Sequence, residues 1–578
     1  MKKLIVFLLC LLLISCNKYS FDNEDVAKAN SEQVFGVSFP SDQDWKMTSN
    51  SSITVNTNLP DIVKTQILVS SELDSLVSLK ILNEAKGGTI TFDIPNEYNN
   101  LYVAFINSKG QYFYKKFNID DTNVEYTVKS LTRGDNEIVF SDDLVISETV
   151  ESFANQRGWL PGEVFYNFNY RSTQAEDYST EFKTLFNDII FHYFPNGRKY
   201  NNLSQIKKSG YYNESCYPIT TGEEPIIVSP VYKNDGGYHE ISEADLYYYY
   251  YKGNNLTTTE IEALPKYRAV SLGDIYSNSD NGNIAKTKSY TLVYWGDGIP
   301  TIGTKGSYQF PKGYKIGFMY KSNTTYESPK KQGELYGDGR LNYNINSWGN
   351  FKSSKLNAEE PRMAWMSVND KMFLCIESGT DTDFNDLIVE VEGGIEPIIV
   401  IPDPPEYQSY MFCFEDHRLG DYDMNDVVIK GERINETHVK YTLMACGASD
   451  DLYLHNINGS VINKNTEVHS LLNRPQSTFI NTTKGDKTPY ISDIITVSKD
   501  FSFLDADTQP YIYNATKGWE VKVARKGQDP HAIMIPYDFK WPLEKVCIKD
   551  AYLQFNGWGV NLIEETEWYK FPVLEKVY

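Results

Sequence analysis

The sequence contains few cysteines and few histidines, seven of each among 578 residues. The histidines show no zinc-ligand spacing, and the sequence lacks the G-x-S-x-G, H-E-x-x-H, P-loop and Rossmann glycine patterns. We therefore expect a protein that is not an enzyme. The cysteines beyond the N-terminal segment are five and lie far apart: Cys216, Cys375, Cys413, Cys446 and Cys547. This separation argues against a disulfide scaffold and favours buried free thiols, although the odd number leaves a pairing between chains open.

Positive charge and long apolar runs are also scarce. Asp and Glu number 77 against 55 Lys and Arg, which gives a formal net charge of -22. A phosphate backbone would be repelled, so nucleic acid is not an expected partner. After the first residues, no run is long and apolar enough to cross a bilayer, which needs roughly 20 residues. Apolar residues still make up 41% of the chain, which is enough to build several cores.

The first residues have the order of an export signal. Two lysines precede an unbroken apolar run at residues 4–14, and Ser15 and Cys16 follow it at once. The four residues that end at Cys16 resemble the bacterial lipobox, which implies that Cys16 is acylated and becomes the first mature residue. We therefore expect a lipid-anchored protein of the bacterial outer membrane, exposed at the cell surface. An ordinary signal peptide, in which Cys16 is incidental, is the alternative.

Short runs that alternate apolar and polar residues, separated by Asn, Gly and Asp, predict a mostly β protein with tandem β-sandwich-like domains. A short amphipathic helical segment is expected between the first and second domains. The predicted order is a signal peptide at 1–15, a lipidated solvated tether at 16–45, an N-terminal β-sandwich at 46–135, a connector with the amphipathic helix at 136–215, a β-rich middle domain at 216–394, a Pro-rich linker at 395–406 and a C-terminal β domain at 407–578.

Two aromatic features fall within the predicted connector and middle domain. Residues 181–194 place apolar side chains at helical spacing before Pro195, and the helix is expected to pack on the next domain. Five consecutive tyrosines occupy residues 247–251. On a strand they would face both sides, either as exposed rings that stack on sugars or, more commonly, as a strand buried between layers. Trp295, Trp348 and Trp365 could equally line a sugar site or a core.

An acidic pattern, D-x-D-x-N-D followed by aliphatic residues, occurs on both sides of the Pro-rich linker. Oxygen ligands at alternate positions of a tight loop can converge on one hard cation, and Ca²⁺ takes six to eight oxygens. An EF-hand is excluded, because the sixth position is Asp386 or Asp426 instead of Gly and β-branched residues follow. We expect an apolar strand, an acidic loop and a second strand at each place. Turn formation by Asp and Asn is the alternative, and glycoside hydrolysis by paired carboxylates is a distant one.

The candidate Ca²⁺ ligands include one glutamate that precedes each pattern. They are Glu377, Asp381, Asp383, Asn385 and Asp386 before the linker, and Glu415, Asp416, Asp421, Asp423, Asn425 and Asp426 after it. Because the two loops flank the linker in sequence, we expect both near the junction of the middle and last domains, where a cation would stiffen the hinge.

The segment at 413–429 resembles the signature of the LruC domain family of bacterial surface lipoproteins, which shows F-E-D, G-D-Y-D-x-N-D and an aliphatic pair. The similarity extends through the last domain to these positions: Cys446, Gly447, Ala448, Glu467, Val468, His469, Trp541, Pro542, Glu544, Ile548, Ala551, Tyr552, Phe555 and Trp558. Residues 417–419 depart from the Trp-Pro that the family commonly carries. The middle domain resembles a β-rich surface domain of unknown function. These resemblances imply surface exposure, β-sandwich folds and Ca²⁺, and no established reaction.

Together these features predict a non-enzymatic, lipid-anchored cell-surface protein that Ca²⁺ stabilises and that binds a glycan or a protein in adhesion. A structural component of a surface assembly is the alternative, and a glycoside hydrolase is a distant third. The expected partners are the membrane, through the lipid at Cys16, and a glycan or surface protein.

Overall fold

The computed structural model describes residues 23–70, 79–127, 139–146, 165–166, 172–193, 206–208, 216–234, 244–270, 280–322, 333–345, 352–355, 362–377, 383–398, 405–536 and 538–578. Strands account for 42% of the described residues and helices for 11%. The prediction of a mostly β, sandwich-like protein is therefore confirmed. Among the described helices, none combines the length and the apolar character that a membrane crossing requires.

The first part of the chain contains one helix and seven strands: α1 (Asn23–Phe35), β1 (Thr48–Thr57), β2 (Ile62–Ser70), β3 (Leu79–Ala85), β4 (Gly88–Pro95), β5 (Asn100–Asn107), β6 (Tyr112–Asn118) and β7 (Asn123–Tyr126). The middle part follows with β8 (Ser141–Val145), β9 (Phe165–Tyr166), β10 (Ser172–Gln174), α2 (Thr180–Tyr193), β11 (Ile206–Lys208), β12 (Ile227–Lys233), β13 (Ala244–Lys252), α3 (Thr258–Glu262), β14 (Lys266–Val270), β15 (Asp280–Asn281), β16 (Lys288–Thr291), β17 (Lys305–Gly306), β18 (Tyr314–Ser322), β19 (Gly333–Tyr336), a 3-10 turn (Gly339–Leu341), β20 (Tyr343–Ile345), β21 (Lys352–Lys355), β22 (Met363–Val368), β23 (Lys371–Ile376) and β24 (Leu387–Glu392).

The last part contains β25 (Glu406–Tyr407), β26 (Ser409–Phe414), β27 (Val427–Asn435), β28 (His438–Ala445), β29 (Leu452–His455), α4 (Val468–Leu471), β30 (Ile491–Thr496), β31 (Tyr511–Asn514), β32 (Trp519–Val521), β33 (Ala532–Pro536), α5 (Ile548–Ala551), α6 (Phe555–Val560) and a 3-10 turn (Trp568–Lys570). Short strands joined by polar turns dominate all three parts, as the period-two pattern predicts.

The first domain is a sandwich of two sheets. One sheet has the order β4-β1-β7, and the other has the order β25-β3-β2-β5-β6. Alternate side chains of the facing strands, such as Ile53, Phe92 and Val103, fill one core between them. This arrangement agrees with the predicted N-terminal sandwich, except that β25 joins it from the far end of the Pro-rich region.

The middle domain also consists of two large sheets. One runs β10-β16-β12-β24-β23-β22-β11, with β15 beside β12, and the other runs β21-β20-β19-β18-β13-β14-β9. The predicted amphipathic helix is confirmed as α2. Its residues Phe186 and Ile189 pack between the first of these sheets and the N-terminal sandwich, where Phe373 and Leu68 meet them. The helix therefore joins two domains.

The tyrosines at 247–251 form part of β13 and are buried on both faces. Tyr248 and Tyr250 enter the core between the two middle sheets, whereas Tyr249 packs on the opposite face against Tyr336. Trp295 and Trp365 are buried in the same domain, and Trp348 lies outside the described residues. The interpretation of these rings as exposed sugar-stacking platforms is therefore wrong for the described tyrosines and tryptophans, because packing from both sides covers them.

The last domain builds a core on each face of one sheet, whose order is β30-β28-β27-β26-β33. Phe412 and Phe414 of β26 point to the side covered by β29, β31 and β32. Met411 and Cys413 point to the other side, where α5 and α6 pack. The five cysteines after Cys16 are buried, as expected, and Cys375, Cys413, Cys446 and Cys547 are free thiols.

The predicted solvated tether at 16–45 is wrong for its described part, residues 23–45. Residues 23–47, which we call the N-terminal arm, pack on the last domain. Ala27, Ser31 and Phe35 are spaced by four residues and therefore share one face of α1. All three are buried. Phe35 and Trp45 complete the core beside α6. The polar composition of α1 conceals this face, since two of these three buried residues are small.

The predicted Pro-rich linker at 395–406 and the connector at 136–215 are also partly integrated into domains. Ile395 and Ile398 are buried in the middle core, and β25 pairs with β3. Within the connector, β8 pairs with β17 of the middle domain. The predicted linker is partly buried because it carries aliphatic residues among its prolines, and such residues are buried wherever a neighbouring core accepts them.

Candidate metal centre

Each acidic pattern lies in the connection between two antiparallel neighbouring strands, as the sequence predicts. The first loop joins β23 to β24, and the second joins β26 to β27. The apolar strands on either side are buried, which fixes the positions of the loop ends. The structure therefore confirms the strand, loop and strand arrangement at both places.

In the first loop, Glu377, Asp383 and Asp386 come together, with one carboxylate oxygen of each lying within 4.8 Å of the others. Glu377 is fully buried and Asp383 is 1% exposed. The Glu377 Oε2 atom accepts hydrogen bonds from the backbone N–H groups of Asp383 (2.9 Å) and Phe384 (3.0 Å). The glutamate that precedes the pattern therefore holds the loop in place. Asp381 lies outside the described residues.

The second loop also groups a glutamate with two aspartates, although these are the first and second aspartates of its pattern and those of the first loop are the second and third. Glu415, Asp421 and Asp423 each place a carboxylate oxygen within 4.8 Å of the other two, and Glu415 and Asp423 are buried whereas Asp421 is exposed. The Glu415 Oε1 atom accepts a hydrogen bond of 2.6 Å from the N–H of Met424. The Asp423 Oδ2 atom accepts one of 2.7 Å from the N–H of Lys545. A distant segment therefore supports this cluster.

The two loops share an unusual backbone conformation. Phe384 and Met424 occupy the same place in D-x-N-D, and both are left-handed, with φ of 58° and 56°. Such a conformation costs a non-glycine residue about 1–2 kcal/mol. This cost is offset because both side chains are buried in cores and because the glutamate of each loop accepts the backbone N–H of the left-handed residue. The residues between the acids are therefore apolar anchors that direct the carboxylates to the opposite side.

The asparagine of each pattern lies beneath the carboxylates. In each loop its N–H donates to the preceding aspartate, at 3.4 Å for Asn385 and 3.2 Å for Asn425. The Asn425 Nδ2 atom donates to the carbonyl of Pro542 at 3.1 Å, while its fully buried Oδ1 atom has no hydrogen-bond partner among the described residues. An amide oxygen without a partner is a suitable additional oxygen ligand.

Asp416 and Asp426, also candidate ligands, interact with each other through the N–H of Asp416, which donates to Asp426 Oδ2 at 2.6 Å. Burial, and then the charges of neighbouring acids that include Asp416, raise the pKa of both Glu415 and Asp426. Asp416 therefore belongs to the same acidic site.

Burial and the crowding of acids raise the pKa of several carboxyl groups in the second loop. Burial, and then the charge of Asp421, raises the pKa of Asp423 to about 8. Burial and the neighbouring acids raise the pKa of Glu415 well above its ordinary value. Glu544, which sequence reasoning did not count as a ligand, has its pKa raised by burial and by Asp421. A divalent cation among these oxygens would restore ordinary ionisation.

The donor set is all oxygen, with carboxylates and an amide and neither thiol nor imidazole among the clustered groups. Hard cations prefer such sets, and the mixture of carboxylate and amide oxygens suits Ca²⁺. Turn formation by Asp and Asn is present as well, because Asp383 and Asp423 each accept the backbone N–H two residues later. Glycoside hydrolysis is disfavoured, since a sugar ring must reach both carboxylates and Glu415 is 1% and Asp423 2% exposed.

A family described as a domain of unknown function, DUF4842, matches residues 516–569. This segment begins just before β32 and ends in the 3-10 turn Trp568–Lys570 of the last domain, and it carries Glu544 and Lys545 beside the second acidic loop. No curated protein and no solved structure matches the chain.

Proposed function

We propose that the chain is a non-enzymatic, lipid-anchored surface protein in which Ca²⁺ at two acidic loops rigidifies β domains that bind a glycan or a protein in adhesion. The observation that carries the proposal is the recurrence of an acidic cluster in two domains. Each loop follows a buried glutamate, has a left-handed residue at the fourth position of its pattern, Phe384 or Met424, and groups three carboxylates within 4.8 Å. Crowded buried acids cost free energy, which a bound cation offsets.

Calcium binding is tested on the purified mature chain by titration calorimetry and by thermal melting in chelator, Ca²⁺ and Mg²⁺. We expect two Ca²⁺ per chain and a higher melting temperature in Ca²⁺ than in Mg²⁺, because Mg²⁺ demands octahedral geometry and retains its waters. A cation that binds only the folded state adds about 2.7 kcal/mol at a hundredfold excess over Kd.

Matched variants separate the two sites. Asp383→Asn and Asp423→Asn keep the side-chain shape and remove one charge, so each should abolish one binding event. Asp500→Asn removes an exposed carboxylate of the last domain and should bind two ions like the unmodified chain. A melting curve that is indifferent to chelator, with no heat of Ca²⁺ binding, would show that the loops form turns without a metal.

The lipid anchor rests on the order of Lys2, the apolar run and Cys16. A Cys16→Ala variant should no longer incorporate radiolabelled palmitate and should leave the membrane fraction, and continued labelling would contradict the anchor. Surface display is measured by protease treatment of intact cells, which should cleave an outward-facing chain and spare a periplasmic one.

One observation favours the alternative, a component of a surface assembly. β30 lies at the edge of its sheet. Its Ile494 is 55% exposed, and Tyr490, which directly precedes the strand, is 45% exposed. Edge strands with apolar exposed residues pair readily with another strand. Co-purification of fixed partners, lost on Ile494→Lys, would favour assembly, whereas binding of the intact mature chain to arrayed sugars would favour glycan recognition.

A further inference from the structure

Several large apolar side chains near the end of the chain are exposed to solvent. Between α5 and the C-terminus, five such residues have high exposed fractions: Leu553 (74%), Val560 (44%), Ile563 (85%), Phe571 (59%) and Leu574 (62%). We call these five residues the C-terminal apolar face. Single exposed apolar residues are ordinary, but a concentration in one short segment marks an interaction surface.

Backbone contacts keep these residues in one structural unit. The N–H of Val573 donates to the carbonyl of Ala551 at 2.8 Å, which brings the stretch with Phe571 and Leu574 beside the stretch with Leu553. α6 contacts both α5 and the 3-10 turn Trp568–Lys570, and Val560 ends α6, three residues before Ile563. The exposed side chains therefore all belong to one small helical unit.

The N-terminal arm packs on that same unit. Asn556 of α6 donates through Nδ2 to the carbonyl of Phe35 at 3.0 Å, and the Phe35 and Phe555 rings stack at 5.6 Å. Gly559 lies so close to the arm that an added Cβ would come within 2.5 Å of the Phe39 ring. The end of the arm is thus fixed on α6.

The distance to the lipid follows from chain length. From Cys16 to Asn23 there are only about seven residues, which span at most roughly 25 Å when fully extended. α1 has 13 residues and is about 20 Å long. An acylated Cys16 would therefore hold the last domain next to the bilayer, even though that domain is the farthest from Cys16 in sequence.

We propose that the C-terminal apolar face rests on the lipid bilayer that holds the anchor and orients the protein on it. The proposal depends on the lipid anchor in the proposed function. Acyl chains retain a protein at a membrane but leave it free to rotate, whereas apolar side chains that enter the headgroup boundary fix its orientation.

Depth measurement tests this on the intact mature chain. Ile563→Cys and Phe571→Cys variants are labelled with an environment-sensitive dye, and because all described native cysteines are buried, the dye should react at the introduced thiol. The chain begins at Asn17 and is held by an N-terminal histidine tag on vesicles of phosphatidylethanolamine and phosphatidylglycerol that contain a chelating lipid. We expect nitroxide lipids to quench both labels. The matched control is Ile302→Cys in the middle domain, where Ile302 is 58% exposed, and it should stay unquenched.

A second measurement uses untethered chain. Ile563→Asp with Phe571→Asp should lower binding to the same vesicles at least about tenfold, since two large apolar side chains contribute more than that when buried, whereas Ile302→Asp should change nothing. Absence of quenching at both tethered sites would overturn the proposal. So would self-association that the paired Asp variant abolishes in sedimentation, because the face would then be a subunit interface.

The two proposals can fail separately. The chelating lipid supplies the tether, so a chain whose Cys16 carries no acyl mass would remove the anchor from the proposed function and still give a clear quenching result. Quenching without acylation would leave the apolar face as a membrane contact in its own right.

Discussion

Phe35→Ala should loosen the last domain, although Phe35 belongs to a segment whose composition resembles a solvated tether. Phe35 is 2% exposed, and its ring contacts Phe39, Tyr422 and Phe555 at 5.1, 4.9 and 5.6 Å between centroids. Removal of a buried phenylalanine costs about 3–5 kcal/mol, from lost transfer free energy and from the cavity.

Hydrogen exchange measured by mass spectrometry is the suitable assay, because a protein of several domains need not unfold in one step. Where local opening controls hydrogen exchange, lowering the free energy of opening by about 3 kcal/mol accelerates the exchange roughly a hundredfold. We expect this acceleration in α6 and in the loop at 415–426, which carries Tyr422, and unchanged exchange in β5 of the first domain.

The control is Gln33→Ala, which changes an exposed residue of the same helix and should alter stability by less than about 0.5 kcal/mol. If α6 exchanges at the same rate in Phe35→Ala and in the unmodified chain, the arm contributes no stability and its packing on the last domain is refuted.

Two further substitutions have defined outcomes. Gly447→Ala would place a Cβ 1.9 Å from Asn425 Oδ1, so it should displace this amide and weaken Ca²⁺ binding at the second loop in calorimetry, whereas Ser449→Ala, at an exposed neighbour, should not. Lys321→Met would leave Glu334 without the ammonium that lies 3.2 Å away, both side chains being fully buried. This should cost about 3–5 kcal/mol and lower the calorimetric transition of the middle domain, and Glu334→Gln added to it should restore most of the loss. An unchanged transition would contradict the burial of this pair.

The sequence predicts best where one local pattern determines the structure. Helix α2 is recognisable because its apolar residues recur at helical spacing and Pro195 ends it. The acidic loops are recognisable because aliphatic strands border each D-x-D-x-N-D.

Contacts between distant segments are not predictable in this way. Asn556 and Phe35 are separated by 521 positions, and α1 offers only Ala27 and Ser31 as further buried contacts. Lys545 supports Asp423 through a backbone N–H, which any residue except proline supplies, so its identity carries no signal. Nothing in the local sequence distinguishes Glu544 from other glutamates, because only the fold brings it near Asp421.

The position of the two acidic loops changes the expected role of the cation. β24 and β26 have six residues each, about 20 Å, and each acidic loop lies at the end of its strand that is remote from the linker. The first domain meanwhile contacts both others: Asp93 accepts hydrogen bonds from Ser502 and from the N–H of Phe503, and Asn369 accepts one from the N–H of Tyr114. The first domain therefore contacts both domains that the linker joins, and it restrains the expected hinge between them. Because Tyr422 of the second acidic loop contacts the Phe35 ring, the cation should act on the N-terminal arm, and through it on how the anchored end is held, rather than on the linker.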